Sequence, residues 1–499
     1  MDHNVLNIIE YDDVHIKIEC ERGLAKELSD FFTFKVPNYQ YTPAYKNKVW
    51  DGQIRLYNIY KQTLYKGLLE YVIKFAEDRG YKTVTEPEKE KISVTKKELL
   101  SYIEKELSTP YTPYDHQING IQHAINNERC LLISPTGSGK SLMIYSLMRF
   151  YLDMLPKEKK ILIVVPTTGL VSQMFSDFKD YSRKTIWNVD KECHTIFSGQ
   201  TKETDKRVVI STWQSLYKLP EKYFKDYSVV FGDECHLFKA KSLTSIMSKL
   251  KNCPYRFGTT GTLDGSQTHK LVIEGLFGRI FNVTTTKTLM EKKLLSNLNI
   301  DCITLKYSPQ DIQETKRVKY DDEIKWLIAN EKRNQFISDL SCNVEGNTLL
   351  LFNYVKDHGI PLYEQIKSIC KDKKIFLIHG KTSIDQREEI RKIVNKENNA
   401  ILIASYGTCS TGINIQNIHN IIFSSPSRSV IRVLQSIGRG LRTSKTKSRV
   451  KLYDISDDLR YLKYVNHTYR HLQERIKIYT KEKFDYSPIE IDLYMGGSS

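Results

Sequence analysis

Residues 131–142 read Leu131-Leu132-Ile133-Ser134-Pro135-Thr136-Gly137-Ser138-Gly139-Lys140-Ser141-Leu142. An apolar run enters a turn of small residues and leaves it into a helical pattern, Leu142, Ile144, Leu147 and Met148. That order predicts a strand, an anion-cradling loop and a helix. Gly137 and Gly139 let successive backbone N–H groups curl around a phosphate, and the helix N-terminus adds its dipole. Pro135, Thr136 and Ser138 complete the cradle. Lys140 is placed to reach the β- and γ-phosphates of a nucleotide, and the Ser141 hydroxyl to ligate Mg²⁺. The strict pattern has Gly at position 134, where this chain has Ser. An ordinary strand-to-helix turn has the same local look; what separates the two is whether partners for a bound phosphate exist elsewhere.

Phosphoryl transfer also needs a carboxylate for Mg²⁺, a group that orients the attacking water, and cations for the transition-state charge. Val229-Val230-Phe231-Gly232-Asp233-Glu234-Cys235-His236 offers the first two. An apolar strand there ends in adjacent acids, at the end where ligands bind on parallel sheets. Asp233 is expected to hold Mg²⁺ and Glu234 to activate water. The cations come late, in Gln435-Ser436-Ile437-Gly438-Arg439-Gly440-Leu441-Arg442, a predicted helix on which Arg439 and Arg442 share a face. Two guanidinium groups so placed suit a γ-phosphate bound on another domain. Such fingers contribute roughly 10³–10⁵ in rate where measured in other enzymes, and they make hydrolysis depend on closure.

A chain of 499 residues is too long for one core and implies three or four domains. The net charge of +16 favours a polyanionic partner such as nucleic acid, although an AT-rich genome would also enrich Lys, Asn, Ile and Tyr. The nine cysteines are scattered, odd in number and without a CxxC pair, which points to reduced thiols and no zinc site. No basic-then-apolar leader opens the chain, and no apolar run approaches ~18 residues. A soluble cytoplasmic protein with no membrane partner is expected.

Residues 1–85 read as a small α+β unit: Val14, Ile16 and Ile18 alternate as a strand, and Leu24, Leu28, Phe31 and Phe32 have helical spacing. Asp51-Gly52 is a turn signal, and Leu68, Leu69, Val72, Ile73 and Phe75 form a second helix. Between them aromatics alternate with cations, among them Tyr39, Tyr41, Tyr45, Lys46, Lys48, Trp50 and Arg55, a mixture suited to base stacking and phosphate neutralisation. A charged linker at 86–91 and a helix at 96–107 follow. From there short β-branched runs alternate with helical stretches, at 131–133, 161–165, 208–210, 229–231 and 256–258, then at 349–352, 375–378, 401–404, 421–423 and 450–453. Two such series imply two α/β domains in tandem with a crossover near 284–300. Beyond residue 457 an apolar stripe of Leu462, Val465, Tyr469, Leu472, Ile476 and Tyr479 predicts a docked helix, its other face carrying His467, Arg470, His471, Arg475, Lys477 and Lys481.

Between about 111 and 455 these stretches, in order, resemble the second helicase superfamily of the DExH type. Tyr114 and Gln117 resemble its adenine-reading motif and 134–141 its phosphate loop, which in members often lacks the first Gly. Val165-Pro166-Thr167-Thr168 and Ser211-Thr212-Trp213-Gln214 resemble motifs that contact the strand backbone. Thr260-Gly261-Thr262 stands where the family has Ser-Ala-Thr and, with His236, is assigned to coupling. Leu350-Leu351-Phe352-Asn353, Thr408-Cys409-Ser410-Thr411-Gly412-Ile413-Asn414 and 435–442 resemble the motifs of a second domain. Asn353 and Thr411 are assigned there to the nucleic acid and Gly412 to the nucleotide. Gln435, Arg439 and Arg442 are assigned to catalysis.

Asn47-Lys48-Val49-Trp50-Asp51-Gly52-Gln53-Ile54-Arg55-Leu56 is similar to the N-terminal unit of phage UvsW-type recombination helicases. Lys46, Lys48, Trp50 and Arg55 are its candidate DNA contacts. The resemblance implies an α/β protein: two tandem RecA-like parallel-sheet domains (111–284 and 285–455), a small α+β N-terminal domain (1–85) joined through 86–110, and a short helical C-terminal extension (456–499). It implies an ATP- and Mg²⁺-dependent DNA helicase or translocase acting on Holliday junctions, stalled forks and R-loops in an infected bacterial cytoplasm. Branched, single- and double-stranded DNA, RNA in R-loops, and single-strand-binding or recombination proteins are the implied partners. An RNA helicase, or an annealing protein that uses ATP only as a switch, would carry many of the same motifs.

Overall fold

In a computed structural model of the chain, each of the ten apolar runs above lies in a strand, and they divide between two seven-stranded sheets whose neighbouring strands all run parallel. The structure describes residues 4–87, 90–197, 200–238, 240–261, 263, 267–412, 415, 417–425 and 449–494. The tip of the loop at 135–137 aside, the chain divides after Thr284 into two units.

In the first unit the strand order is Ile280–Asn282, Arg129–Ile133, Tyr255–Thr260, Tyr227–Asp233, Lys160–Val165, Val208–Thr212, Cys193–Ile196. The inner strands are buried on both faces, which is why they read as unbroken apolar runs rather than alternations. Phe277, fully buried near the end of the helix Gln267–Phe277, lies over two strands at Gly232 and Gly258. A Cβ at Gly232 would stand 2.6 Å from its ring, and one at Gly258 would stand 2.7 Å from Leu131. Only glycine fits at either place.

The N-terminal residues build a four-stranded sheet in the order Thr63–Tyr65, His15–Glu19, Val5–Glu10, Lys82–Thr85, backed by the helices Arg22–Phe31 and Leu69–Glu77. This sheet is not an appendage. Its apolar face and one face of the first parallel sheet share a single hydrophobic cluster. The helix Gln267–Phe277 lies at the join: a Cβ on Gly67 would come 2.1 Å from the Glu274 carbonyl, and one on Gly275 would come 2.9 Å from Tyr65. The Tyr71 hydroxyl donates to the Glu274 carboxylate at 2.8 Å, and Arg129 donates to the Asp13 carbonyl at 2.7 Å. Residues 96–107 also join the first unit, with Leu99, Ile103 and Leu107 packed on Ile118, Ile121 and Ile125.

The second sheet has the order Lys374–Ile378, Ala400–Ser405, Thr348–Phe352, Asn420–Phe423, Arg449–Asp458, Asn297–Lys306, Asp485–Asp492. Two of these strands carry no clear signal in the sequence. Part of the expected crossover at 284–300 is the start of Asn297–Lys306, and the C-terminal stretch ends in the edge strand Asp485–Asp492. The latter is exposed along most of its length, with only Ile489 and Ile491 partly buried. The expected C-terminal helix forms over His467–Lys481, but its faces differ from the predicted ones. Leu462, assigned to the stripe, is 86% exposed, and Arg475, assigned to the basic face, is buried. Arg475 donates to Asp454 at 2.8 Å, and the same carboxylate accepts from Tyr479. The N-terminus of this helix is held by buried Glu323, which accepts from the backbone N–H groups of His467 and Thr468, a capping carboxylate supplied by another helix. Among the described residues no helix is long and apolar enough to cross a membrane.

Candidate nucleotide site and strand-facing loops

The phosphate loop leaves the strand Arg129–Ile133 and enters the helix Lys140–Met154. Gly137 and Gly139 have φ of +87° and +83°, so these two positions need glycine. Ser134 has no such requirement, which resolves the departure from the strict pattern. It is fully buried, its hydroxyl donates to that of Ser138 at 2.6 Å, and its N–H donates to the Thr260 carbonyl at 2.9 Å. Its carbonyl accepts from Lys140 Nζ at 3.1 Å. A serine here braces the loop across its own mouth.

The two acids sit at the C-terminal end of the strand Tyr227–Asp233. Glu234 has φ +48° and ψ +45°, a left-handed turn that costs a non-glycine residue on the order of 1 kcal/mol. The turn aims its carboxylate at Lys140 Nζ, 3.3 Å away. Gly261 N–H donates to the same carboxylate at 3.5 Å, and His236 Nδ1 lies 3.4 Å from it. Burial pushes the Glu234 carboxyl up, but the charges of Lys140 and His236 outweigh it and hold the group below its ordinary range. Asp233 goes the other way. Burial, and then the neighbouring Glu234 charge, push it up to about 6, while Thr259 donates a hydrogen bond to it at 2.7 Å. Adjacent carboxyls thus have their proton affinities pushed apart by their surroundings.

The raised Asp233 carries a stability consequence. Between the ordinary carboxylate range and about pH 6, the unfolded chain gives up this proton more readily than the folded one, so stability falls as pH rises through that window. Asp233→Asn is therefore expected to raise the thermal midpoint of the nucleotide-free protein near neutral pH, with the gain fading below pH 6. A lowered midpoint at neutral pH would count against this account.

His236 is buried and hydrogen-bonded through Nδ1 to the Thr260 hydroxyl. The Thr260 carbonyl in turn receives Ser134 N–H. The residues assigned to coupling therefore link the Asp-Glu turn to the root of the phosphate loop, Thr262 lying outside the described residues. Gln117 Nε2 donates to the Ser138 carbonyl at 3.0 Å, and the half-exposed Tyr114 ring stands beside it at the start of the helix Asp115–Asn127. Pro135 and Thr136 are partly exposed in the loop, as is Ser141 in the first helical turn.

At neighbouring strand ends, Thr167 caps the helix Thr168–Ser182 by accepting from Leu170 N–H, leaving Thr168 exposed at its N-terminus. Thr212 is buried and bonded to Ser215, Trp213 is partly buried against Tyr217, and Gln214 donates to the Pro166 carbonyl at 3.3 Å. That bond ties together the two motifs assigned to the strand backbone. In the second unit Asn353 follows the strand Thr348–Phe352, with its N–H on the Ser425 hydroxyl at 3.3 Å. Thr411 and Gly412 close the helix Tyr406–Gly412. Gln435, Arg439 and Arg442 lie outside the described residues.

In the N-terminal unit the turn at 39–50 rises from the two-stranded ribbon Thr33–Lys35 and Gln53–Arg55. Lys46 and Lys48 are exposed, as are Tyr41, Tyr45 and Val49. Trp50 is fixed by a bond from Nε1 to the Gln53 carbonyl at 2.8 Å, and Arg55 pairs with Asp51. Gly52, at φ +79°, leaves room for the Tyr39 ring directly above it. Two residues of the nucleotide site went unread in the sequence, Thr259 and His116. Thr259 faces Asp233 through strand register, and His116 reaches Ser138 across the fold; neither relation is a spacing along the chain.

Carboxylates from one parallel strand face the lysine of a phosphate loop from another, in the first of two such sheets, and that layout defines the class as a RecA-like helicase motor. Comparison with known proteins narrows it. Residues 6–86 match the family described as DNA helicase UvsW, N-terminal; residues 110–265 match the type III restriction enzyme res subunit, and 331–444 the helicase conserved C-terminal domain. The ATP-dependent DNA helicase uvsW of Enterobacteria phage T4 is 33% identical over 97% of this chain and 99% of its own length. The crystal structure of T4 UvsW aligns over 98% of this chain and 99% of that one at TM-score 0.52 and 30% identity. The DEAD-box helicase Mss116 bound to single-stranded RNA aligns over 79% and 89% at TM-score 0.52 but 15% identity, a likeness of fold alone. The chain belongs to the UvsW family of ATP-dependent DNA helicases.

Proposed function

We propose that the protein unwinds or branch-migrates branched DNA, including four-way junctions, stalled forks and R-loops, in recombination, repair and replication. The observation that carries this reading is the exposed aromatic and cationic turn at 39–50, mounted on a unit that shares its hydrophobic core with the ATPase sheet. A junction-reading surface fixed in this way travels with the motor instead of trailing behind it. In this reading Lys46, Lys48, Trp50 and Arg55 meet the branch point. Thr167, Thr168, Thr212, Trp213, Asn353 and Thr411 follow the backbone of one strand.

Tyr114, Gln117, the loop from Pro135 to Ser141, and Gly412 bind ATP. Glu234 orients the attacking water and Lys140 meets the phosphates, while Gln435, Arg439 and Arg442 offset charge on the γ-phosphate. His236, Thr260 and Thr262 carry the outcome to the strand-contact loops. The donor set fits Mg²⁺: a carboxylate, Asp233, and a hydroxyl, Ser141, are hard oxygen ligands, and Mg²⁺ on phosphates commonly takes only one or two carboxylates. A cation there would also offset the burial that raises Asp233. When bound it supplies charge neutralisation between the phosphates. Residues 86–110 join the N-terminal unit to the core, and the C-terminal helix braces the second sheet. The reading places the protein in the cytoplasm of an infected bacterium, alongside single-strand-binding and recombination proteins.

The test uses the whole chain, since residues 1–85 share a core with the first sheet. Unwinding of a four-way DNA junction, an RNA duplex and an RNA–DNA hybrid is compared for wild type and a Lys46→Ala/Lys48→Ala/Trp50→Ala variant. The variant is expected to lose junction unwinding, and its salt slope for DNA binding should fall by about two, one for each lysine. A preference for the RNA duplex, or an unchanged salt slope, would overturn the proposal.

A further inference from the structure

We infer that His116 is a positioning residue that ties recognition of the nucleotide base to the shape of the phosphate loop, and so sets the enzyme's preference for base-bearing triphosphates. The inference rests on the proposed role of Tyr114 as the base platform. Tyr114 is 51% exposed, and its ring stacks on His116 with centroids 5.7 Å apart and an interplanar angle of 14°. His116 itself is buried, and its Nε2 lies 3.1 Å from the Ser138 carbonyl. A carbonyl only accepts, so Nε2 carries the proton.

Gln117 Nε2 donates to the same carbonyl at 3.0 Å, while Gln117 Oε1 accepts from Tyr114 N–H at 2.8 Å. The Ser138 oxygen therefore receives two hydrogen bonds from consecutive residues of one helical turn, and its two lone pairs are filled. The fit is close as well as bonded: a Cβ on Gly139 would lie 2.0 Å from Gln117 Nε2. Turn 114–117 and loop 134–139 behave as one piece.

Peptide geometry gives this clamp its consequence. The carbonyl of Ser138 and the N–H of Gly139 belong to one planar trans peptide, like every peptide among the described residues, so the two groups point in opposite directions. Pinning the oxygen toward His116 and Gln117 turns the Gly139 N–H to the other side, where it can serve an anion. A base stacked on the open face of Tyr114 fixes the ring pair, and His116 passes that constraint to the peptide. Gln117 holds the same carbonyl from the backbone of Tyr114, whereas the imidazole is the group that joins it to the Tyr114 ring.

The experiment measures KM and kcat, at saturating DNA, for ATP and for ribose 5′-triphosphate, which keeps the sugar and phosphates and lacks the base. Wild type is expected to favour ATP. His116→Phe keeps a ring under Tyr114 and removes the bond to Ser138. It should lower the ratio of the two KM values by about fivefold, the size of one neutral hydrogen bond. A residue that merely holds the loop would raise both KM values together and leave the ratio intact, and that result overturns the inference. Tyr114→Ala removes a half-exposed ring without opening the core and must lower the ratio too; it stands in if His116→Phe folds poorly. Should wild type itself show no preference for ATP, the base-platform reading falls and the inference with it. A wild-type preference that survives in His116→Phe sinks the inference alone.

Discussion

Glu234→Gln is expected to lower DNA-stimulated ATP turnover by roughly 10²–10⁴, the contribution of a positioned acid or base, while leaving ATP binding within a few-fold of wild type. The carboxamide keeps the shape of the side chain and its contact with Gly261 N–H but gives up the charge that faces Lys140 and His236. Because the surroundings hold Glu234 below its ordinary range, it is ionised across neutral pH, so the loss should be flat with pH there. Single-turnover hydrolysis and nucleotide affinity, measured separately, distinguish lost chemistry from lost binding. Turnover within about tenfold of wild type would remove Glu234 from the water-orienting role.

The second large effect is on stability. Arg333 and Asp457 are both fully buried in the second unit and meet through two bonds, Nε–Oδ1 at 2.8 Å and Nη2–Oδ2 at 3.2 Å. Tyr307 donates to the same carboxylate at 2.7 Å, and Arg333 Nη2 also reaches the Ser424 carbonyl. Asp457→Ala leaves a guanidinium in the core without its counter-charge, which costs about 3–5 kcal/mol. For a unit of this size that is a fall of roughly 6–20 °C in the midpoint, read by calorimetry. Replacing both partners with apolar residues, Arg333→Met with Asp457→Leu, should recover most of the loss, because no charge is then stranded. A single-variant loss below about 1 kcal/mol would show that water reaches the pair.

Much of the fold was open to reading. The strands at 131–133, 229–231 and 401–404 are buried on both faces, so their apolar runs are continuous and their alternation with helical spacing is plain. The edge strand Asp485–Asp492 and the long strand Asn297–Lys306 were not foreseen. Asn297–Lys306 opens with exposed Asn297 and Asn299 between its buried residues, and in Asp485–Asp492 only Ile489 and Ile491 are even partly buried, so polar residues dilute the apolar signal. The C-terminal helix shows a different limit. A helix forms there, but of the predicted stripe only Leu472 and Tyr479 are buried; periodicity counts Arg475 as polar and cannot foresee that Asp454 will receive it inside the core.

The nucleotide site divides along the same line. Residue types and their order along the chain determined the phosphate loop, the Asp-Glu turn and the tandem α/β architecture, because each is a local pattern with its own backbone or solvation requirement. Only the tertiary structure decided that Ser134 braces the loop where glycine was expected, that Thr259 faces Asp233, and that His116 reaches Ser138. It alone decided that the N-terminal sheet and the first parallel sheet share one core. Those relations depend on strand register and on backbones close enough to require Gly67 and Gly275. Such contacts form between residues far apart in the chain, and no local pattern encodes them.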